Sequence, residues 1–293
     1  HAPHPMLDTV PGQWRADTWP SPRSSTLTLL LADQPQYAVR ADVGTAAWLS
    51  CAGHLPYGQP ADQRHDDAAS ITWDFPITEA IEIAGHVLLS AEVIATCPNP
   101  ILALRIASHG RVDLELEATA WRWLPGRTLR VCVAGADWPN VVAPGGPGWL
   151  TLRDAVLTLP VYLPDPDAPV PQFAPGNDTS SEDPEGITWL IERDVVREVT
   201  RCVVGSRSDY QTPHGSGHER YDGWVSVHAQ TFAQHAHSDV EFTLRFGQVQ
   251  VTTRSVMDLS TAAGEYLLRI GLTVSEGDAI IRERTWEQTF PRA

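Results

Sequence analysis

The sequence predicts an all-β protein: a two-sheet sandwich of jelly-roll type, followed by a second antiparallel β domain. Three observations predict it. Prolines and glycines, 24 and 21 among 293 residues, recur too densely for helices of ordinary length but suit short strands joined by turns. Apolar residues fall in short runs or alternate with polar ones, the patterns of buried and half-buried strands. Turn-forming pairs separate these runs at short intervals.

Taken in order, residues 25–32 (STLTLLLA) begin with alternation and end as an apolar run. Residues 86–95 (HVLLSAEVIA), 101–106 and 127–134 (RTLRVCVA) fit buried or half-buried strands of a sandwich. Residues 112–118 (VDLELEA) alternate strictly, so Val112, Leu114 and Leu116 share one side and the acids face water. Turns are marked by Cys97-Pro98-Asn99-Pro100, His109-Gly110, Pro125-Gly126 and the Pro144–Gly148 cluster. Closely spaced strands with such turns make a two-sheet sandwich over residues 1–163.

Residues 164–186 (PDPDAPVPQFAPGNDTSSEDPEG) hold six prolines, six acids and no basic residue. A segment that buries so little and repels itself reads as an extended linker. The second domain, residues 187–293, opens with strands at 188–194 (TWLIERD) and 195–204 (VVREVTRCVV). A helix over 187–202 is disfavoured by Val195, Val196 and Val199, whose branched Cβ suits a strand. A glycine-rich polar stretch reads as loop up to residue 224, and strands follow at 225–229, 239–246, 248–257, 265–275 and 279–290. Phe246-Gly247-Gln248 and Glu276-Gly277-Asp278 are hairpin turns between strands of matching length, the mark of a meander.

The formal charge is −15 and every basic residue is arginine, which argues against a nucleic-acid or anionic-membrane partner. Six of those negative charges sit in the linker, so the acidity does not steer a ligand. No apolar run approaches the roughly 20 residues of a membrane-spanning helix. The chain opens His-Ala-Pro-His-Pro, without initiator Met or apolar leader, and is expected to be a processed product or the tail of a longer protein. Cys51, Cys97, Cys132 and Cys202 are far apart with no CxxC pair. Two bridges are possible, but buried free thiols in a reducing, cytoplasmic setting are the simpler expectation.

No G-x-S-x-G pentapeptide is present to hold a nucleophilic serine on a tight strand-to-helix turn. Ser216 beside His218 reads as solvated loop. His214-x3-His218, with His228, His235 and His237 beyond, is the single histidine cluster, and neither a helix nor a finger supports it as a metal site. Asp62, Asp66 and Asp67 near His65 lack the EF-hand pattern and read as a solvated loop. No metal, cofactor or catalytic residue is assigned. The 11 tryptophans are the unusual feature. Most belong between sheets, yet Trp14, Trp19 and Trp138 lie outside the strand pattern and are the candidate interface or binding residues. Exposed tryptophans also stack on sugar rings, so a stand-alone carbohydrate-binding module is the alternative.

The order of several short motifs carries a resemblance. Pro11-Gly12-Gln13-Trp14-Arg15 and Trp19-Pro20 precede the first strand. Trp73-Asp74-Phe75-Pro76-Ile77 and Ile81-Glu82-Ile83-Ala84-Gly85 lead into the second. Trp123-Leu124-Pro125-Gly126-Arg127-Thr128-Leu129-Arg130-Val131, Trp138-Pro139 and Leu157-Thr158-Leu159-Pro160-Val161 follow. This order resembles the galactose-binding-like jelly-roll domain at the C-terminus of CocE/NonD-type hydrolases, which include cocaine esterase and X-Pro dipeptidyl-peptidases. The ending Arg284-Thr285-Trp286-Glu287-Gln288-Thr289-Phe290-Pro291-Arg292 is similar to an extra β domain of some bacterial members. The resemblance implies a non-catalytic portion whose partner is an α/β-hydrolase domain bearing the Ser-His-Asp triad. The pair would share a small acyl-ester or peptide substrate.

Overall fold

Strands form where alternation and β-branched residues are dense, and the computed structural model pairs them into antiparallel sheets of five, two and seven strands. It describes residues 13–47, 64–98, 109–172, 187–262 and 264–292. The expected strand at 101–106, Cys51, Asp62 and most of the linker fall outside these residues. The helix α1 (Arg64–Asp67) is a single turn. Among the described residues, no helix is long and apolar enough to cross a membrane.

The chain divides into two compact units. Unit 1 comprises His1–Val39, Leu49–Gly135 and Gly148–Glu182; unit 2 comprises Arg40–Trp48, Ala136–Pro147 and Asp183–Ala293. Two short segments of the first half therefore belong with the second.

In unit 1, β1 (Ser25–Leu31), β2 (Tyr37–Ala38), β3 (Ile71–Pro76), β4 (Ile81–Ala95), β5 (His109–Trp123), β6 (Thr128–Val133) and β7 (Trp149–Val161) form a β-sandwich-like arrangement. The larger sheet runs β1-β7-β4-β5 with β2 also on β7, and β3 pairs with β6. Alternation sets the core. Ile83, Leu89, Ala91 and Val93 of β4 and Leu150, Leu152, Leu157 and Leu159 of β7 are buried, while His86, Leu88 and Glu92 face out. On the two-stranded sheet Ile71, Trp73, Leu129 and Val133 are buried, and Trp73 Nε1 donates to the Ala32 carbonyl at 2.8 Å.

Unit 2 is a meander of β8 (Thr188–Asp194), β9 (Val199–Thr212), β10 (Gly215–His228), β11 (Gln234–Phe246), β12 (Val249–Ala262), β13 (Glu265–Glu276) and β14 (Ala279–Pro291). Each strand pairs with the next, and the sheet stays open, with β8 and β14 at its edges. The glycine-rich stretch read as loop is instead the second half of β9, a tight turn and most of β10. Polar cross-strand pairs hold it, such as His218 Nδ1 to Asp209 Oδ1 at 2.8 Å. Val195 and Val196, expected in a strand, occupy the β8–β9 turn at 85% and 89% exposure. There the Asp194 carboxylate accepts the Val196 and Arg197 amides at 3.0 and 2.9 Å, which fixes a turn that branched side chains would not choose.

Candidate functional site

Residues directly opposite across an antiparallel ladder share a side, and successive residues alternate. The register therefore sorts unit 2 into two faces. One carries Trp189, Val204, Met257, Ile270 and Trp286 in a single row. A second row of that face joins Cys202, Val225, Ala236, Leu259 and Leu268. The opposite face carries Arg207, Arg220, Glu241 and Arg254 in one row, and Trp224, His237, Asp258, Arg269 and Glu287 in another.

At one end the apolar face is covered by the two segments that unit 2 draws from the first half. Thr200 Oγ1 donates to Asp42 Oδ2 at 3.0 Å, and the Gln234 amide bonds both backbone groups of Ala143. Arg292 Nη2 donates to the carbonyls of Pro144 and Phe232 at 2.7 and 2.9 Å. Phe232, Cys202 and Val227 are fully buried here. Farther along the same face Tyr221, Phe246 and Trp286 remain exposed, and Leu268, Ile270, Leu272 and Trp286 line an open depression of about 420 Å³.

The polar face is a ladder of compensated charge. Arg254 grips Asp239 through two bonds of 2.9 and 2.6 Å, and Arg220 reaches Asp222 at 2.7 Å and Asp239 at 3.3 Å. Trp224 lies beneath the Arg201 guanidinium, 4.6 Å from its centroid, and stacks on His237 at 6.0 Å. His237 Nδ1 in turn meets Asp258 Oδ1 at 2.7 Å. An open depression of about 450 Å³ adjoins Trp224, Asp258, Arg269 and Glu287. The sequence reading missed this ladder; its signal is the run of polar residues at alternate positions of strands of matched length.

The Arg254 side chain holds the Asp239 carboxyl below the usual carboxylate range, with Arg220 adding to the effect. A depressed carboxyl stabilises the fold above the unfolded value, about pH 4, and that contribution disappears as pH falls through the folded value. Acid unfolding of unit 2 should therefore begin below about pH 4. In Asp239→Asn the slope of stability against pH should flatten in that range, as read by circular dichroism across a pH series.

Of the tryptophans singled out from sequence, Trp14 and Trp19 are each 69% exposed, whereas Trp138 is 2% exposed. Trp138 belongs to the core of unit 2, with its amide donating to the Val43 carbonyl at 2.7 Å. Its flanking prolines and glycines mimic a surface loop, but the segment is packed. The stretch bearing Trp14 and Trp19 has no regular structure, yet it is fastened. Arg15 makes a two-bond pair with Glu82 at 3.1 and 3.2 Å. Asp17 accepts from Ser21 at 2.8 Å and Arg23 at 2.7 Å. The Ser21 hydroxyl, then the Thr18 amide and Arg23, hold the Asp17 carboxyl below its ordinary value. A Cβ built on Gly85 would lie 3.3 Å from the Trp19 ring, so Trp19 rests against β4 at that glycine.

The remaining candidates serve structure. Cys97 and Cys202 are buried free thiols; Cys132 is free and on the surface. Partial desolvation by the groups packed around it, with Asp67 as a 3.0 Å acceptor, pushes the Cys132 thiol up to about 12, which removes thiolate at neutral pH. Asp67 and buried Asp66 are not a solvated loop: Asp67 also takes Arg130 at 3.2 Å. His228 Nδ1 accepts the Gln230 amide at 3.1 Å. Among the described residues, no three His, Cys, Asp or Glu side chains are grouped to hold a metal ion.

Comparison with known families, curated proteins and solved structures finds no match. What the chain shows by itself is an all-β protein of antiparallel sheets.

Proposed function

We propose that this chain is the non-catalytic portion of a serine acyl or peptidyl hydrolase of CocE/NonD type. It docks on an α/β-hydrolase domain, and its first unit, read as a galactose-binding-like jelly roll, walls part of the substrate cleft. The observation that supports this reading is the pair Trp14 and Trp19, kept exposed on a segment that ion pairs fasten in place. Large aromatics presented on an ordered surface are the usual anchors of a protein interface. The triad's Ser, His and Asp belong to the docked domain, and this chain contributes shape and exclusion of water.

The test begins with the coding sequence on the N-terminal side, where a G-x-S-x-G in the same frame is expected. The domain it encodes, produced separately, should bind this chain, and Trp14→Ala with Trp19→Ala should weaken that binding at least tenfold. The chain by itself should not hydrolyse p-nitrophenyl acyl esters or X-Pro p-nitroanilides. Turnover lost on Ser216→Ala would overturn the reading. So would oligosaccharide binding that disappears with Trp14 and Trp19, which would make the chain a carbohydrate-binding module instead.

A further inference from the structure

The open depression on the apolar face of unit 2 has an apolar lining of Leu268, Ile270, Leu272 and Trp286, with Ser255 and Gln288 beside them. Its volume, about 420 Å³, is that of a small-molecule site. The register of β14 sets Arg282, Arg284, Trp286 and Gln288 opposite Val274, Leu272, Ile270 and Leu268 of β13, all on this face. Two arginines therefore stand at one end of an apolar lane. Toward its other end Arg292, fastened to the Pro144 and Phe232 carbonyls, lies over Tyr266 and closes the face.

Arg282 and Arg284 lack the partners that other arginines of the sheet have. On the opposite face Arg207, Arg220, Arg254 and Arg269 each reach a carboxylate. Among the described residues Arg282 and Arg284 pair with none, and Arg284 rests 4.6 Å over the Trp286 ring. Two carboxylates share their face. Glu276, at the end of β13, reaches neither arginine, and Glu219 lies on β10 with three strands between. Two cations side by side without a carboxylate stand out in a chain of 36 acids and 21 arginines.

We propose that this depression binds a free alkyl carboxylate of medium length, its tail along Leu272, Ile270 and Leu268 and its head on Arg284 and Arg282. This goes beyond the hydrolase reading and does not rest on it. A purely apolar ligand would leave the arginines unmatched, and a small anion would leave the lane bare. One molecule with both parts satisfies both. From Leu272 to Leu268 is four residue steps, about 14 Å, which a medium alkyl chain spans beside the indole. Guanidinium groups suit the head, because their paired N–H donors match the two oxygens of a carboxylate.

Isothermal titration calorimetry of the whole chain tests this with three probes of equal tail, each below its aggregation concentration: decanoate, 1-decanol and decyltrimethylammonium. Decanoate should bind tightest. The net charge of −15 favours the cation everywhere else, so preference for the anion locates binding at the arginines. Arg284→Gln and Arg282→Gln, both at exposed positions, should each weaken decanoate about three- to tenfold and leave 1-decanol unchanged. Leu272→Asn should weaken both. Decyltrimethylammonium binding as well as decanoate overturns the proposal, as does decanoate affinity untouched by either arginine variant. Anionic lipid presents similar chemistry, so phosphatidylglycerol vesicles form the last arm. Sedimentation with vesicles that Arg284→Gln abolishes, without binding of free decanoate, overturns the proposal in favour of a membrane surface.

Discussion

Replacing Gln234 by leucine is expected to lower the stability of unit 2 by about 3 kcal/mol, with little change in its volume. The Gln234 side chain behaves like one rung of a sheet: its Oε1 accepts the Ala143 amide at 2.9 Å, and its Nε2 donates to the Ala143 carbonyl at 3.1 Å. Both residues are buried. Leucine fills the space but leaves an N–H and a C=O away from water, each worth about 1–3 kcal/mol when unpaired. Urea unfolding followed by circular dichroism measures the loss. Gln234→Glu adds a sign test. The neutral acid restores both bonds and the carboxylate restores one, so this variant should gain stability as pH falls. A leucine variant as stable as the parent would show that the segment carrying Ala143 does not depend on this bond.

Gly44→Ala should be at least as damaging, through sterics. Gly44 has φ +114°, and a Cβ there would lie 2.7 Å from the Asp137 carbonyl carbon and 2.8 Å from the Trp138 nitrogen. Both obstacles are main chain, so no side chain can swing aside. The neighbouring bond from the Trp138 amide to Val43 joins the two short segments of unit 2 and would be displaced. Backbone strain of about 1–3 kcal/mol adds to that loss, and the unfolding midpoint should drop by about 10 °C or more. Gly126→Ala separates the causes. Its φ is +80° but nothing lies within 4 Å of the added carbon, so strain alone operates and the drop should be much smaller.

Strands were legible wherever alternation coincided with branched or aromatic residues. Residues 188–194 were read to the residue, and the meander after 239 was read in the right order. Between 205 and 224 the composition of Gly, Ser, Asp and His spoke for a loop. The strands there are held by pairs such as His218 with Asp209, which single-sequence reasoning cannot see until the hairpin is known. Tryptophan exposure was legible only in part. Trp14 and Trp19 look like surface residues and are; Trp138 looks the same and is core, because Val43 and Gly44 close over its backbone from far away in sequence. The polar ladder through Trp224 and His237 escaped notice for the same reason: its members come from six different strands.

The composition of unit 2 also sets an order in time. A ribosome makes Arg40–Trp48 and Ala136–Pro147 long before the strands they pack against. Asp42 waits for Thr200, Ala143 for Gln234, and Pro144 for Arg292, separations of 158, 91 and 148 residues. Closing such loops is slow, because the chain loses entropy before any contact rewards it. During synthesis both segments must therefore stay available, and β14 must leave the exit tunnel before Arg292 can fasten the last of them. Completion of unit 2 thus waits for its last strand, and until then Trp138 and its neighbours are open to whatever chaperone the cell supplies.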